Sequence, residues 1–130
     1  MILADTQIVI WITLEPAKLS RKATAALHQA RLSGAGMGIA SSTLWELAMY
    51  VTRGKIRPNV TLSAYLQLVE KSFVVYPITA KIAEASMHFT SKYPKDPADR
   101  LIGATALVHG LKLVTADEKI RKSGEVPCIW

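Results

Sequence analysis

Asp96 and Asp99 stand three residues apart at the head of an apolar stretch, Asp96-Pro97-Ala98-Asp99-Arg100-Leu101-Ile102-Gly103-Ala104-Thr105-Ala106. That spacing puts two carboxylates one turn apart on a single helix. Asp96 fits the N-cap, where a side-chain oxygen accepts from the free N–H groups of the first turn. Pro97 fits the first helical position, where its missing N–H costs nothing. Asp99 falls at the third, and Gly110 is the expected stop. Acids are favoured at a helix N-terminus in any case, so this pair alone serves capping as well as chemistry. The other acids add to it. The chain has four Asp, namely Asp5, Asp96, Asp99 and Asp117, and each stands where an apolar run meets the next segment. Glu46 lies between Trp45 and Leu47. A carboxylate partly buried there needs a partner, and a cation is one solution. Thr43 and Glu46 also have the spacing of a capping box.

Several carboxylates brought within a few ångströms either take up protons or bind a cation. Oxygen-only ligands without His or Cys point to Mg²⁺ or Mn²⁺. Such an ion orients a phosphodiester, offsets charge on its oxygens and lowers the pKa of an attacking water; two ions would sit roughly 3.5–4 Å apart. The formal net charge of +6 suits an acidic partner such as nucleic acid. His28, His88 and His109 are isolated from one another. The single cysteine, Cys128, excludes an internal disulfide and a Cys-based zinc cluster, and fits a reducing cytoplasm.

The elements that must position these acids alternate. With 130 residues, half of them hydrophobic, the chain is expected to form one domain, 1–130, around a real core. The most apolar early run, Ile8 to Leu14, is too short to span a bilayer and follows no basic leader, so neither a membrane segment nor a signal peptide is expected. Short strands are expected near 2–5, 37–40, 73–77, 112–115 and 127–129, the last as an edge strand containing Pro127. Helices are expected from just after Asp5, over 19–33, from 41 onward, over 61–71, from a Thr79 cap through Phe89, from Pro97, and briefly after Asp117. Arg53, Lys55 and Arg57 form a basic cluster that suits either a solvated helix end or phosphate contacts. The fold class is therefore α/β, with a central, mostly parallel five-stranded sheet flanked by helices. Asp5, Glu46 and Asp117 then share the rim at the C-terminal ends of the strands, where open sheets bind ligands.

Four segments carry a family likeness. Ile2-Leu3-Ala4-Asp5-Thr6, Ser42-Thr43-Leu44-Trp45-Glu46-Leu47-Ala48, Asp96 to Ala106 and Leu113-Val114-Thr115-Ala116-Asp117 resemble, in order and spacing, the motifs of PIN-domain ribonucleases, as does the terminal Ile129-Trp130. The nearest likeness is to the VapC-like toxins of VapBC-type toxin–antitoxin modules, over essentially the whole chain. The resemblance implies a PIN-like fold and a Mg²⁺- or Mn²⁺-dependent endoribonuclease, cytoplasmic and held inactive by a VapB-like antitoxin. Asp5, Glu46, Asp99 and Asp117 match the acidic quartet, and Asp96 matches an additional acid. Asp5 and Asp99 are implied as direct metal ligands, with Glu46 and Asp117 acting through water or holding a second ion. Thr6 and Thr115 are implied to orient the carboxylates. The reaction implied is in-line attack by metal-activated water, leaving a 3′-hydroxyl and a 5′-phosphate. Relatives cut transfer RNA or ribosomal RNA loops and are usually homodimers. Their antitoxin tail follows a groove, which here would run between the helices at 19–33 and 44–54. Gln7 departs from the shorter polar residue usual at its place and bears on substrate positioning. A catalytically silent PIN-like RNA-binding or regulatory domain is the alternative, which the intact quartet opposes. A response-regulator-like use of Asp as nucleophile would want paired acids after the first strand, where Asp5 stands alone.

Overall fold

A computed structural model describes all 130 residues. Five strands form one all-parallel sheet: β1 (Ile2–Ala4), β2 (Met37–Ala40), β3 (Val74–Tyr76), β4 (Lys112–Val114) and β5 (Cys128–Ile129), in the order β3-β2-β1-β4-β5. Ile2 is in register with Met37 on one side and Lys112 on the other. The chain winds outward from β1 to β3, crosses back, and continues through β4 to β5. The direction of winding therefore reverses between β1 and β4, the place where an open parallel sheet opens a crevice.

The helices are α1 (Thr6–Leu14), α2 (Arg21–Leu32), α3 (Ser41–Thr52), α4 (Leu62–Ser72), α5 (Ala80–Ala85), α6 (Pro97–His109) and α7 (Glu118–Ser123). Side chains alternate across each strand, so the sheet has two buried faces. Ala4, Ile39 and Val114 pack with Ile8 and Val9 of α1, Leu27 of α2, Leu47 of α3 and Tyr65 of α4. Leu3, Ala40 and Leu113 pack on the opposite face with Ile102 and Ala106 of α6 and Ile120 of α7. Burial on both faces explains the apolar strands and the high hydrophobic content. α6 and α7 end on Gly110 and Gly124, both left-handed at φ 63° and 69°, a conformation glycine adopts without steric cost.

The expected strands and most of the helices are present, with three differences. The helix capped by Thr79 ends at Ala85 and does not reach Phe89. The Ser86 hydroxyl donates back to the Ala83 carbonyl at 2.6 Å, and Phe89 instead stacks on Tyr93, centroids 4.0 Å apart. Secondly, α3 starts at Ser41 with Ala40 as N-cap, so Thr43 and Glu46 lie inside the helix and form no capping box. Thirdly, Asp96 occupies the N-cap of α6 but makes no side-chain capping bond.

The segment before α6 is braced from one side. Tyr93 is fully buried and donates its hydroxyl to the Asp99 carbonyl at 2.7 Å. A Cβ at Gly103 would overlap the Tyr93 ring and hydroxyl and the edge of Phe89. Gly103→Ala should therefore destabilise the protein by about 1–3 kcal/mol, as overpacking of a filled core does. Chemical denaturation should show a lower midpoint at an unchanged m-value; unchanged stability would mean that the Tyr93 ring is free to move.

Candidate active site

Asp5 leaves β1 and caps α1. Its backbone N–H still belongs to the sheet, donating to the Val114 carbonyl at 3.0 Å. One carboxylate oxygen accepts the Thr6 N–H and the other accepts the Thr115 hydroxyl, each at 2.7 Å. Thr115 is fully buried just beyond β4, and its oxygen also accepts the Asp117 N–H at 3.1 Å. A single threonine thus ties the acids that follow β1 and β4. Asp117 caps α7 through its Oδ1, which accepts the Ile120 N–H at 3.0 Å.

Glu46 enters from the other side of β1, on the second turn of α3, and is only 5% exposed. Its Oε1 accepts the Thr6 hydroxyl at 2.6 Å and its Oε2 accepts the Tyr50 hydroxyl at 3.2 Å. Thr6 also lies 2.9 Å from the Thr43 hydroxyl oxygen. Thr6 has one hydroxyl proton, and it goes to the carboxylate; Thr43 must then donate to Thr6. The result is a directed chain from Thr43 through Thr6 to Glu46. Asp99 stands in the first turn of α6, near the positive end of the helix. Asp96 lies beside it, free of the capping role.

All five carboxylates line one cavity of about 400 Å³, together with Thr6, Gln7 and Tyr50. No lysine or arginine lines it. Arg100, next to Asp99 in sequence, turns its Nε to the Pro94 carbonyl at 3.0 Å and braces the loop instead. Burial pushes the Asp5 carboxyl above the usual range, and repulsion from Asp117 and Asp96 adds to this, against the pull of its Thr115 and Thr6 hydrogen bonds. Burial also raises Glu46, with Asp5 and Asp96 adding to the rise and the Thr6 and Tyr50 hydroxyls opposing it. Asp99 is pushed up to about 7, first by burial, then by Asp5, Asp96, Asp117 and Glu46, with nothing lowering it. The cavity concentrates negative charge that the chain does not itself neutralise.

A hard divalent cation fits this donor set, which is entirely oxygen. No three of the acids close on a common ligand point.

Every site residue expected from the sequence is in this cavity or hydrogen-bonded to its acids: Asp5, Glu46, Asp96, Asp99 and Asp117, with Thr6 and Thr115. Two participants were missed. Tyr50 stands four residues after Glu46, the spacing at which helical side chains meet, and that was its available signal. In the sequence Thr43 offers only a cap. The cavities next to the acids do not lie between α2 and α3. The cleft adjoining the acids is walled by α1 and α3, and includes Trp11, Tyr50 and Lys55. α2 shares its hollow with α1 instead. The cause is that α1 leads directly out of Asp5 and packs on α3.

The PIN domain family matches residues 2–126. The chain is 32% identical to Ribonuclease VapC22 of Mycobacterium tuberculosis over 120 residues, covering 92% of this chain and 89% of that protein. Among solved structures, it resembles VapBC2 from Rickettsia felis bound to a promoter DNA fragment, with a TM-score of 0.74, 17% identity, and coverage of 98% of this chain and 97% of that one. A toxin–antitoxin complex from Klebsiella pneumoniae gives a TM-score of 0.62 at 24% identity, covering 90% and 87%. At these identities the structural likenesses show the fold.

The raised carboxyls predict a pH-dependent stability. A folded acid whose pKa exceeds its unfolded value binds more protons than the unfolded chain, so stability falls as pH rises. The contribution is complete below the ordinary value of 3.8 for Asp99 and is lost through its folded value of about 7. The metal-free protein should therefore lose thermal stability from about pH 4 to about pH 7. Mn²⁺ should restore it at the upper end and do little at the lower. Melting curves in EDTA and in MnCl₂ at both ends check this; a Mn²⁺ effect independent of pH would place the ion away from these acids.

Proposed function

The chain belongs to the PIN-domain family, and from that membership we propose that it is a metal-dependent endoribonuclease, the toxin of a VapBC-type toxin–antitoxin module. The observation that carries this reading is the convergence of Asp5, Glu46, Asp96, Asp99 and Asp117 on one cavity with no cationic side chain among them. Acids serving only as helix caps would not need to share a cavity. Asp96 does not cap at all.

Asp5 and Asp99 are the direct ligands in this reading, with Glu46 and Asp117 binding through water or holding a second ion, and Asp96 adding negative charge. A bound Mg²⁺ or Mn²⁺ supplies Lewis acidity, orienting the phosphate, offsetting charge on its oxygens and lowering the pKa of water. The residues do the positioning. Thr115 and the Thr6 N–H occupy one lone pair on each Asp5 oxygen and fix the carboxylate plane. The Thr43–Thr6 chain and Tyr50 hold Glu46 from both ends. Tyr93 fixes the Asp99 backbone through its carbonyl. Such supports keep the ligands in place before substrate arrives. The reaction is phosphodiester hydrolysis that leaves a 3′-hydroxyl and a 5′-phosphate.

The substrate class proposed is structured cellular RNA, as in a transfer RNA or a ribosomal RNA loop. The partner proposed is a VapB-like antitoxin. A homodimer is proposed as well, supported by apolar side chains left at the surface, among them Trp45 on α3 at 64% exposed. No helix is long and apolar enough to cross a membrane, and the cytoplasm is the proposed location.

Purified protein with Mg²⁺ or Mn²⁺ should cut total cellular RNA into discrete fragments. EDTA, Asp5→Asn and Asp99→Asn should each abolish the cutting. Folded wild-type protein that binds Mn²⁺ weakly and cuts nothing would favour a silent RNA-binding domain. Thr115→Val should keep the fold and lower activity or metal affinity by about 10–100-fold, as loss of a ligand's orienting partner does; wild-type Mn²⁺ affinity and rate would show that Asp5 needs no such support.

A further inference from the structure

The acidic cavity does not end at the acids. A second cavity of about 370 Å³ opens beside it, and Gln7 and Tyr50 line both. Its walls come from one face of α1, where Gln7 and Trp11 lie one turn apart, and from the C-terminal end of α3 with Lys55 beyond it. Its volume lies at the low end of small-ligand pockets, which run from roughly 300 to 1,000 Å³. That is room for one nucleotide and not for a folded element.

We propose that this cleft between α1 and α3 is a subsite for one unpaired nucleotide of the RNA, adjoining the scissile phosphate, in which Gln7 contacts the base edge, the Trp11 and Tyr50 rings offer a base-stacking surface, and Lys55 receives a phosphate. The inference rests on the ribonuclease reading for what occupies the acidic cavity. Four features support it.

Continuity is the first. Gln7 and Tyr50 belong to both cavities, so a chain held by its phosphate at the acids extends into the cleft without leaving the surface. Charge is the second. Lys18 and Lys55 face one acid, Glu15, in this cleft. Glu15 is already paired with Lys18 at 2.8 Å. The remaining ion pairs engage His88 and Lys122, so the Lys55 ammonium, which lies over the Tyr50 ring 5.5 Å from its centroid, has no carboxylate partner.

Rigidity is the third. The Tyr50 hydroxyl is bound to Glu46. Trp11 is braced by Trp130, with ring centroids 5.7 Å apart. Rings held before binding lose little entropy when a base stacks on them, and stacking tolerates any base because each has a π-face. The fourth feature is Gln7 itself. It is exposed at the second position of α1, and a primary amide presents a donor and an acceptor side by side, the pattern that pairs with a base edge. Its length carries that amide farther from the helix than Ser or Asn would. Splayed single-stranded bases are the form in which RNA is most often recognised by sequence.

The test is binding of fluorescein-labelled single-stranded RNA decamers with Ca²⁺ in place of Mn²⁺, one with all its bases and one carrying abasic nucleotides, with cleavage-site mapping in Mn²⁺ alongside. Wild type should bind the abasic decamer about tenfold more weakly. Gln7→Ala and Trp11→Leu should weaken the intact decamer by a similar factor and leave the abasic one unchanged. Lys55→Ala should weaken both and lower the salt slope by about 1. Gln7→Ala should also change the base preference at one position flanking the cut. Gln7 is exposed, so its variant keeps the test valid if Trp11→Leu does not fold. Equal binding of both decamers, or Gln7 and Lys55 variants that bind like wild type, overturns the subsite and leaves the cleft to a protein side chain. The two ideas fail separately. Base-dependent binding without Mn²⁺-dependent cutting would sink the nuclease reading alone, and cutting with no base dependence would sink the subsite alone.

Discussion

Negative charge gathered at one edge of the sheet is the constraint around which the rest of the chain is arranged. Five carboxylates share a cavity of about 400 Å³, and in a medium of lowered dielectric such neighbours repel strongly. The chain does not remove the problem with an arginine or lysine. It reduces it with dipoles: threonine hydroxyls on Asp5 and Glu46, and the first turns of α1, α6 and α7 at Asp5, Asp99 and Asp117. Dipoles orient carboxylates but do not cancel their charge. Burial first, and repulsion between the neighbours behind it, still pushes the Asp5, Glu46 and Asp99 carboxyls up. An exogenous cation can relieve it, and a basic side chain supplied by a partner answers the same electrostatic need.

Topology explains why these acids meet although they lie 112 residues apart at the extremes. β1 and β4 are neighbours in register, so Asp5 and Asp117 leave the same edge on either side of Thr115. α3 follows β2, the other neighbour of β1, and brings Glu46 to that edge. α6 comes from the opposite face and closes the cavity with its N-terminus. A parallel sheet that reverses its winding beside its first strand makes this convergence unavoidable. The net charge of +6 is compatible with an acidic centre because the basic residues stay outside it. Lys92, Lys119 and Lys122 border a separate surface hollow, and Lys55 stands in the adjoining cleft.

The sheet and the acids were legible in the sequence because each depends on local signals. Short apolar runs, the first four ending before a helix start, mark the strands. Acids at those junctions then followed from the pattern. What escaped depends on contacts between distant segments. Nothing local says that Asp96 will leave its cap position unused, since Asp-Pro at a helix start ordinarily means a cap. Nothing near Phe89 says that stacking on Tyr93 will outcompete another helical turn. The cleft beside the acids escapes for a similar reason: α1 and α3 are separated by α2 in sequence yet meet at the edge.

Buried Tyr93 and half-buried Phe89, the aromatic pair behind α6, serve the same need. Asp99 has no threonine to hold it, and its carboxyl is pushed up by every neighbour. Its position must come from the backbone. Tyr93 supplies that by binding the Asp99 carbonyl, and the ring can reach it because Gly103, one turn further along the helix, carries no side chain. Phe89 stacks on the outer face of Tyr93 and stops it from tilting away. The carboxylates therefore have two kinds of support. Asp5 and Glu46 are steered at the side chain by hydroxyls, whereas Asp99 is steered through its main chain. Holding the residue by its carbonyl leaves both carboxylate oxygens open to the cavity.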